Sequence, residues 1–351
     1  MTFLESCQEI TRNAHLWLPG YWQWRKTRPI QAPARLWLTL ADHYEPWWNH
    51  VSDETARERV AEWRRRWPPI AARYRDSAGH PPQYTFFYPQ DQYRPEALDP
   101  LAEMAAQGIA DVEVHIHHDG EGQQDFLDRM GGFIEALSRR HGLLHRSVAG
   151  RTVFGFIHGN WALDNARPDG RWCGLNNELI LLRDLGCYAD FTMPAAPDPS
   201  QGGPINTIYW ATDDPDRPRS FENGRPLRRG ENIRGDLLMV PGPLHLNWRD
   251  RPFWKPRIET GELAGNDRVR PERFALWMEA APRIGSDAFL KLYTHGAPEK
   301  NARGLLGEGE EQGDLDRLLY GIIDQCQRNG VELHFATAWE LYQAIEAACR
   351  S

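Results

Sequence analysis

The stretch that most constrains the fold of this chain is 111–121, which reads Asp-Val-Glu-Val-His-Ile-His-His-Asp-Gly-Glu. Apolar and polar residues alternate along its first seven positions, and this alternation predicts a β-strand with one apolar face. The other face carries a carboxylate and two imidazoles, those of Glu113, His115 and His117. Such groups are costly to bury unless something binds them, and metal ions commonly bind both types. The stretch therefore predicts a strand that leads into a metal site.

Strands and helices alternate along most of the chain. Continuous apolar runs predict strands, and amphipathic runs with capping residues predict the helices between them. The predicted strands are 35–42, 84–88, 111–117, 152–158, 189–192, 288–294 and 331–335. The predicted helices are 52–74, 95–107, 124–140, 177–185, 271–281, 314–328 and a last one that starts with the capping box at 337–340. This alternation is typical of parallel βα units and predicts an α/β fold.

One long segment, 194–270, interrupts the alternation. It is rich in Pro, Gly, Asp and Arg and contains strand-like pieces at 205–211 and 236–240. A loop of this length inside a compact domain usually has structure of its own. We therefore predict an insertion of short β-hairpins that forms a lid or a rim. The chain then consists of an N-terminal arm, 1–34, and a single α/β domain, 35–351, that carries the insertion.

Composition restricts the class of protein and its compartment. The formal charge of -8 and the pI near 5.9 argue against a general nucleic-acid binder. Five scattered cysteines without a CxxC pair, no secretory signal and no run of 18 apolar residues predict a cytoplasmic protein without a transmembrane segment. The aromatic and basic segment 16–26 is compatible with contact at a membrane surface, although packing against the domain is the favoured interpretation.

The predicted strand ends carry many acids and imidazoles. Active sites of parallel α/β folds lie at the carboxyl ends of the strands. Four of the predicted strands end in such groups, at Asp42-His43, His115–Asp119, His158–Asn160 and His295. The chain has 13 histidines in 351 residues, and chance would not place most of them at one edge. We therefore favour a metal-dependent site over a set of structural histidines.

Three of these strand ends resemble the motifs of the polysaccharide deacetylases of the NodB-homology class. The strand ending at Asp42 resembles their first motif, 113–117 resembles their second, and the strand ending at His295 resembles their last. The resemblance covers most of the chain, both in the order of the motifs and in the alternation of strands and helices. It implies a distorted (β/α)7-type barrel, a divalent metal that is most often Zn²⁺, and hydrolysis of N-acetyl or O-acetyl groups on a sugar.

The resemblance assigns metal ligands by position. Asp42 corresponds to the metal-binding aspartate of the family, and His117 best matches its first metal histidine. The second metal histidine falls at Glu121, and His115 or His118 could take its place. The third ligand therefore stays open among these three residues.

The resemblance also assigns catalytic roles. His295 corresponds to the histidine that protonates the leaving group, whereas the general base of the family falls at Ala41 and is missing. His158 or a backbone N–H is a candidate donor for the oxyanion. The candidate bases that the sequence offers instead are Glu45, Glu113 and Asp119.

Aromatic residues in predicted loops are candidates for binding sugar rings, which present apolar C–H faces. The first candidates are Trp47, Trp48 and Trp161, together with Asn160. Weaker candidates, for which a structural role is favoured, are Trp172, Trp210, Trp248, Trp254, Asp190, Asp198 and His245.

We thus expect a metal-dependent hydrolase of carbohydrate metabolism that removes acetyl groups from a sugar or polysaccharide precursor. A metal with three protein ligands keeps a position for water and lowers the pKa of that water to about 7. One alternative is a metal-dependent amidase for a non-sugar substrate, which the missing second aspartate favours. The other is a sugar-binding protein with a vestigial site, against which the retained Asp42, His117 and His295 argue.

Overall fold

A mostly parallel β-sheet with helices packed on it forms the centre of the protein. The computed structural model describes residues 3–248, 256–263, 267–309 and 311–350. The helices within them are α1 (Phe3–Thr11), α2 (Ala14–Thr27), α3 (Asp53–Ala71), α4 (Pro95–Ala106), α5 (Gln123–Glu135), α6 (Glu178–Leu185), α7 (Pro271–Ala280), α8 (Glu299–Leu306), α9 (Asp314–Asn329) and α10 (Ala338–Arg350). The strands are β1 (Arg35–His43), β2 (Tyr84–Pro89), β3 (Ala110–Ile116), β4 (His145–Arg146), β5 (Thr152–His158), β6 (Cys187–Asp190), β7 (Tyr209–Ala211), β8 (Gly224–Pro226), β9 (Leu237–Met239), β10 (His245–Asn247), β11 (Arg257–Glu259), β12 (Arg283–Ile284), β13 (Asp287–Thr294) and β14 (Glu332–Phe335).

The sheet has the strand order β12-β13-β1-β2-β3-β5-β6-β9-β7-β8. The strands from β13 to β9 in this order run parallel, whereas β12, β4 and the β7–β8 pair join antiparallel. Strand β1 is central, since it pairs with β13 along one side and with β14 and β2 along the other. This arrangement confirms the α/β fold with a mostly parallel sheet.

The strands do not form a closed ladder within the part of the chain that the structure describes. The two sides of the sheet approach each other where Lys291 of β13 meets the segment that follows β6. The Lys291 Nζ donates to the carbonyl oxygens of Phe191 at 2.5 Å and Met193 at 2.6 Å. A buried side chain, and not a strand ladder, therefore bridges the gap at which a barrel would close.

Local sequence signals account for the helix starts. The Ser52 side chain accepts a hydrogen bond from the Thr55 N–H at 3.2 Å, which caps α3. Before α10, Glu340 accepts from the Thr337 N–H at 2.9 Å and donates its own N–H to the Thr337 hydroxyl at 3.2 Å. This reciprocal pair is the predicted capping box.

The two faces of the strands pack in two hydrophobic clusters. The face with Leu38 and Leu40 of β1 packs against Trp63 and Trp67 of α3. The opposite face carries Ala41, which belongs to a second cluster with side chains of β2, β5, β13 and α10. Side-chain alternation along each strand decides which of these two environments a residue enters.

The segment 194–270 is not separate from the sheet. Its strand β9 pairs in parallel with β6, and β7 and β8 extend the sheet from there. Strands β10 and β11 form a second antiparallel pair, whose connection lies partly outside the described residues. The insertion thus carries short antiparallel pairs, as predicted, and part of it also extends the central sheet.

The aromatic arm packs on this insertion. Trp17, Tyr21 and Trp24 of α2 are buried in a third cluster with Leu244 and Ile258. The aromatic residues of 16–26 thus mainly serve packing against the domain, although Trp22 is exposed. Among the described helices, none combines the length and apolar character that a membrane crossing requires.

Candidate metal centre and cleft

A cleft of about 860 Å³ opens at the carboxyl ends of the central strands. Residues that follow β1, β2, β3, β5 and β13 line it, because parallel strands deliver their last residues to the same edge. Its lining residues include His43, Glu45, Trp47, Trp48, Asp91, His117, Asn160, Trp161 and His295. The structure therefore brings at least one group from each of the four singled-out strand ends to the same cleft.

Glu45 lies at the centre of a group that we call the Glu45 trio, which is His43, Glu45 and His115. One ligand atom of each member lies within 4.8 Å of the others, and all three side chains are buried. The His115 Nε2 is 3.3 Å from the Glu45 Oε1, and the His115 Nδ1 is 2.8 Å from the Ile157 carbonyl oxygen. A carbonyl oxygen only accepts, so the His115 Nδ1 carries the proton and its Nε2 faces the carboxylate.

His117 stands beside the trio and is oriented by Asp91. Its Nδ1 is 3.0 Å from the Asp91 Oδ1, and its Nε2 is 3.4 Å from the Glu45 Oε1. Burial acts to lower the pKa of His117, but the hydrogen bonds to Asp91 and Glu45 outweigh burial and raise it to about 10. His117 is therefore an imidazolium at neutral pH when no other cation is bound beside Glu45.

The charges of the trio follow from burial and contacts. Burial acts to raise the pKa of Glu45, but its contacts with the His115 and His117 rings hold the pKa well below its usual value. Burial lowers the pKa of His43 and that of His115, and for His43 the neighbouring His295 lowers it further. The trio thus offers an ionised carboxylate and two neutral imidazoles, which is the protonation state that a metal requires of its ligands.

His295 and Trp161 flank His43 on the cleft side. The His295 ring lies 4.7 Å from the His43 ring and 6.0 Å from the Trp161 ring, measured between centroids. The Trp161 Nε1 is buried without a hydrogen-bond partner among the described residues. Trp48 is 51% exposed at the rim, and the Trp47 indole donates to Asp53 at 2.8 Å. Of the weaker candidates, Trp254 lies outside the described residues.

The structure does not bring Asp42 into this group. Asp42 lies on the face of β1 opposite His43, and its carboxylate accepts hydrogen bonds from the Gly296 N–H at 2.7 Å and the Tyr84 hydroxyl at 3.0 Å. A Cβ at Gly296 would lie 2.3 Å from the Asp42 Oδ2, so the contact there is tight. The expectation that Asp42 shares a metal with His117 is therefore corrected, and Glu45 supplies the carboxylate of the cleft instead.

Two other expected ligands also lie elsewhere. His118 points to the face of β3 opposite His115 and His117, because it is one residue out of phase with them. It lies in a second group, the buried quartet, which is His118, His158, Cys173 and Glu178. Glu121 pairs with His118 at 3.1 Å and with Arg129, away from the cleft. Neither His118 nor Glu121 is placed to share a metal with Glu45.

Three expected catalytic residues are also placed outside the cleft. Glu113 is fully buried, accepts from the Tyr188 hydroxyl at 2.5 Å and the Gly155 N–H at 2.6 Å, and lies deeper along β3. Asp119 is exposed and accepts from the Trp172 N–H at 2.8 Å. His158 belongs to the buried quartet, so it is not placed to donate to an oxyanion in the cleft. Glu45 alone among the candidate bases reaches the cleft.

The sequence singles out His43 only as one of the strand-end groups, without a specific role, and Asp91 is not among the predicted site residues. A more specific signal for His43 is that it lies on the same face of β1 as Ala41. Ala41 is the position at which the resemblance expects the general base of the family. Asp91 lies two residues after the end of β2 at Pro89, so the same rule about strand ends would have pointed to it. Cys173 and Glu178 of the buried quartet lie in a loop and at the start of α6, where no spacing rule marked them.

The Glu45 trio fits a divalent metal. One carboxylate and two imidazoles are the donor set that the resemblance implied, although different residues supply it. The His115 Nδ1–H is held by a backbone carbonyl, which is how metal-bound histidines are usually oriented. The remaining lone pair on its Nε2 faces a carboxylate oxygen, and a cation between the two atoms would satisfy both.

Comparison with known proteins adds little to this geometry. No protein-family model and no curated protein matches the chain. A solved structure from Mycobacterium smegmatis, proposed to be a polysaccharide deacetylase, is similar over 92% of this chain and 94% of its own, with 12% identity and a TM-score of 0.47.

Proposed function

We propose that the protein is a metal-dependent hydrolase that removes acetyl groups from an amino sugar or from a polysaccharide precursor. The observation that carries the proposal is the convergence of the Glu45 carboxylate with the imidazoles of His43 and His115, in a buried group of which His43 and Glu45 line the cleft. Tryptophans at the rim of this cleft favour a sugar over a non-sugar amide, because they offer flat apolar surfaces to C–H faces.

His43, Glu45 and His115 would hold the metal. Zn²⁺ suits this set, because it accepts imidazole nitrogen and carboxylate oxygen, and three protein ligands are typical of its catalytic sites. When bound, it would polarise a carbonyl group and supply a water that ionises near neutral pH.

The side chains around the trio have complementary tasks. His117, fixed by Asp91, directs its Nε2–H towards Glu45 and the cleft, where it can donate to a carbonyl oxygen that gains negative charge. The indole N–H of Trp161, for which the described residues provide no partner, offers a second donor. His295 lines the cleft beside His43 and would pass a proton to the departing amine nitrogen. Asn160 and Trp48 are then available to contact the sugar.

The test is acetate release by untagged protein, first stripped of metal with a chelator and then reloaded with Zn²⁺. The substrates are N-acetylated and O-acetylated sugars, with N-acetylated amino acids for the amidase alternative. We expect zinc-dependent acetate release from sugars and its loss in Glu45→Gln and His115→Ala. We expect its retention in His15→Ala, which removes an exposed histidine of α2 that does not line the cleft.

The outcomes separate the alternatives. Release from the amino-acid amides but not from the sugars would establish the amidase. Sugar binding without zinc uptake or acetate release would overturn the proposal in favour of a vestigial site. Activity that survives Glu45→Gln at full rate would remove the Glu45 trio from the reaction.

A further inference from the structure

The buried quartet lies outside the cleft, on the other side of β3 and β5. His118 follows β3, His158 ends β5, Cys173 lies in the loop after β5, and Glu178 begins α6. All four side chains are buried, and one ligand atom of each lies within 4.8 Å of the others. We propose that these four residues form a second, closed metal site, separate from the cleft, that binds a structural Zn²⁺ ion.

The strongest observation is that two imidazoles meet at atoms that both offer lone pairs. The Nε2 atoms of His118 and His158 are 2.8 Å apart, and they lie 3.0 Å and 3.4 Å from the same oxygen, Glu178 Oε1. Three polar atoms that can all accept thus converge on one point. Such a convergence needs either a proton or a cation at its centre.

The second nitrogen of each imidazole shows where the protons are. The His158 Nδ1 lies 2.5 Å from the Gly159 carbonyl oxygen, so it carries a proton and leaves its Nε2 bare. The His118 Nδ1 lies 3.1 Å from the Glu121 Oε2, a contact without hydrogen-bond alignment, and neither atom has another partner in the described chain. A proton on the His118 Nδ1 suits this contact with a carboxylate oxygen, and both Nε2 lone pairs then point to the centre.

This arrangement matches the outer contacts of metal-bound histidines. Such histidines usually donate their second N–H to a carboxylate or a backbone carbonyl, and here Glu121 and Gly159 occupy these two positions. The Glu178 Oε2 is also occupied, since it accepts from the Asp164 N–H at 2.7 Å. Its Oε1 is thereby turned towards the two histidines.

Cys173 completes a set of four donors. Its Sγ lies 3.4 Å from the Glu178 Oε2, and the loop that carries it is fixed to the loop after β3 by the Gly120 N–H, which donates to the Cys173 carbonyl at 2.7 Å. A Cβ at Gly174 would lie 2.9 Å from the Gly120 Cα, so the two loops approach as closely as glycines allow. Two nitrogens, one oxygen and one sulfur suit Zn²⁺, which takes four such ligands in closed structural sites.

The proposed site would fix the segment that lines the cleft. Asn160 and Trp161 lie between His158 and Cys173, and they face the cleft on the other side. Asn160, Trp161 and Trp172 have positive φ angles of 54°, 54° and 67°, which are costly for residues other than glycine. Metal bonds at both ends of this segment would hold a conformation that the backbone does not favour.

The test uses the sulfur, since the Glu45 trio contains none. The protein is stripped of metal and reloaded with Co²⁺, and the near-ultraviolet charge-transfer absorption between thiolate and Co²⁺ is recorded. We expect this band in the wild type and in Glu45→Gln, and its loss in Cys173→Ala. The matched control is Cys326→Ala, which removes another buried cysteine and should keep the band.

Metal counting separates this inference from the proposed function. If both hold, the wild type contains two Zn²⁺ ions per chain, and Glu45→Gln and Cys173→Ala each contain one. One ion together with the cobalt band would leave the quartet as the site and refute the metal in the cleft. One ion without the band, or a band that survives Cys173→Ala, would overturn the quartet.

A measurement without variants covers the case in which Cys173→Ala does not fold. X-ray absorption at the zinc edge of the wild type should show a sulfur neighbour at about 2.3 Å, next to nitrogen and oxygen neighbours at about 2.0–2.2 Å. Zinc with only nitrogen and oxygen neighbours would overturn the quartet as a four-ligand site.

Discussion

Lys291 is the residue whose removal tests the fold most directly. Its Nζ is fully buried and donates to the carbonyl oxygens of Phe191 and Met193, so it bridges β13 and the segment after β6. Burial lowers the pKa of Lys291 to about 7, with a smaller opposing effect of Asp190. A neutral amine still has two N–H groups, which match the two carbonyls. We predict that Lys291→Met destabilises the protein in a pH-dependent manner.

The sign follows from the proton balance. In the unfolded chain Lys291 has an ordinary pKa near 10.5, so between pH 7 and 10.5 the unfolded state holds more protons than the folded state. The free energy of unfolding of the wild type therefore gains up to about 1.4 kcal/mol for each pH unit above 7 from this residue. Burial also raises the pKa of Asp190, to about 7, and loss of the nearby cation would raise it further, which acts in the same direction.

The magnitude combines two contributions. Two carbonyl oxygens that lose their donor cost about 1–3 kcal/mol each when they stay buried. From pH 7 to 9 the difference between wild type and variant should then widen by roughly 3 kcal/mol. The assay is urea unfolding at pH 7, 8 and 9, followed by tryptophan fluorescence, with Lys300→Met as the control because Lys300 is exposed. A difference that stays constant or narrows as the pH rises would refute the reasoning.

Four changes near the cleft test the placement of individual side chains. Asp42→Asn should keep the zinc content of the cleft, measured by elemental analysis, because its carboxylate bonds to the opposite face of β1; loss of zinc would restore it as a ligand. Asp91→Asn should keep zinc but lower kcat/KM about 10- to 100-fold, because His117 loses its orienting carboxylate; an unchanged rate would contradict this role. Gly159→Ala should cost about 1–3 kcal/mol in urea unfolding, because its Cβ would lie 2.3 Å from the His117 Cδ2; unchanged stability would contradict the packing. His295→Ala should retain zinc and lower turnover by roughly 10²-fold or more in the acetate assay; an unchanged turnover would remove it from the reaction.

The sequence predicted the main strands and most helices, because their signals are local. The predicted strand 152–158 has the observed bounds, and 35–42 and 84–88 each gain one residue in the structure. Apolar runs and capping residues are signals that extend over a few positions, so they can be recognised in the sequence without knowledge of the fold. Helices α1, α2 and α8 lie outside the predicted helices, and α8 is short and follows directly on a strand end with candidate site residues.

The pairing of distant segments was not predictable in the same way. The pairing of β9 with β6 depends on residues about fifty positions apart, Asp190 and Met239, and rests on a single parallel pair. No period or cap in the sequence indicates such a contact. The same holds for the gap that Lys291 bridges, since a lysine within an apolar strand only indicates that its amine has some buried partner.

The candidate sites show where a strand rule succeeds and where it fails. Alternation places His115 and His117 on one face of β3 and would have placed His118 on the other, as the structure does. The resemblance, applied by position, joined Asp42 to His117 and left the third ligand open among His115, His118 and Glu121, so its candidates came from both faces. The alternation of side chains between the two faces of a strand therefore predicts better than the resemblance which residues share a site, because a shift of one residue moves a side chain to the other face. By that rule His43 and Glu45, which flank Tyr44 at the end of β1, belong with His115 in the cleft, and His118 belongs with His158 behind it. Zinc occupancy lost from one site by Glu45→Gln and from the other by Cys173→Ala would be the direct measure of that separation.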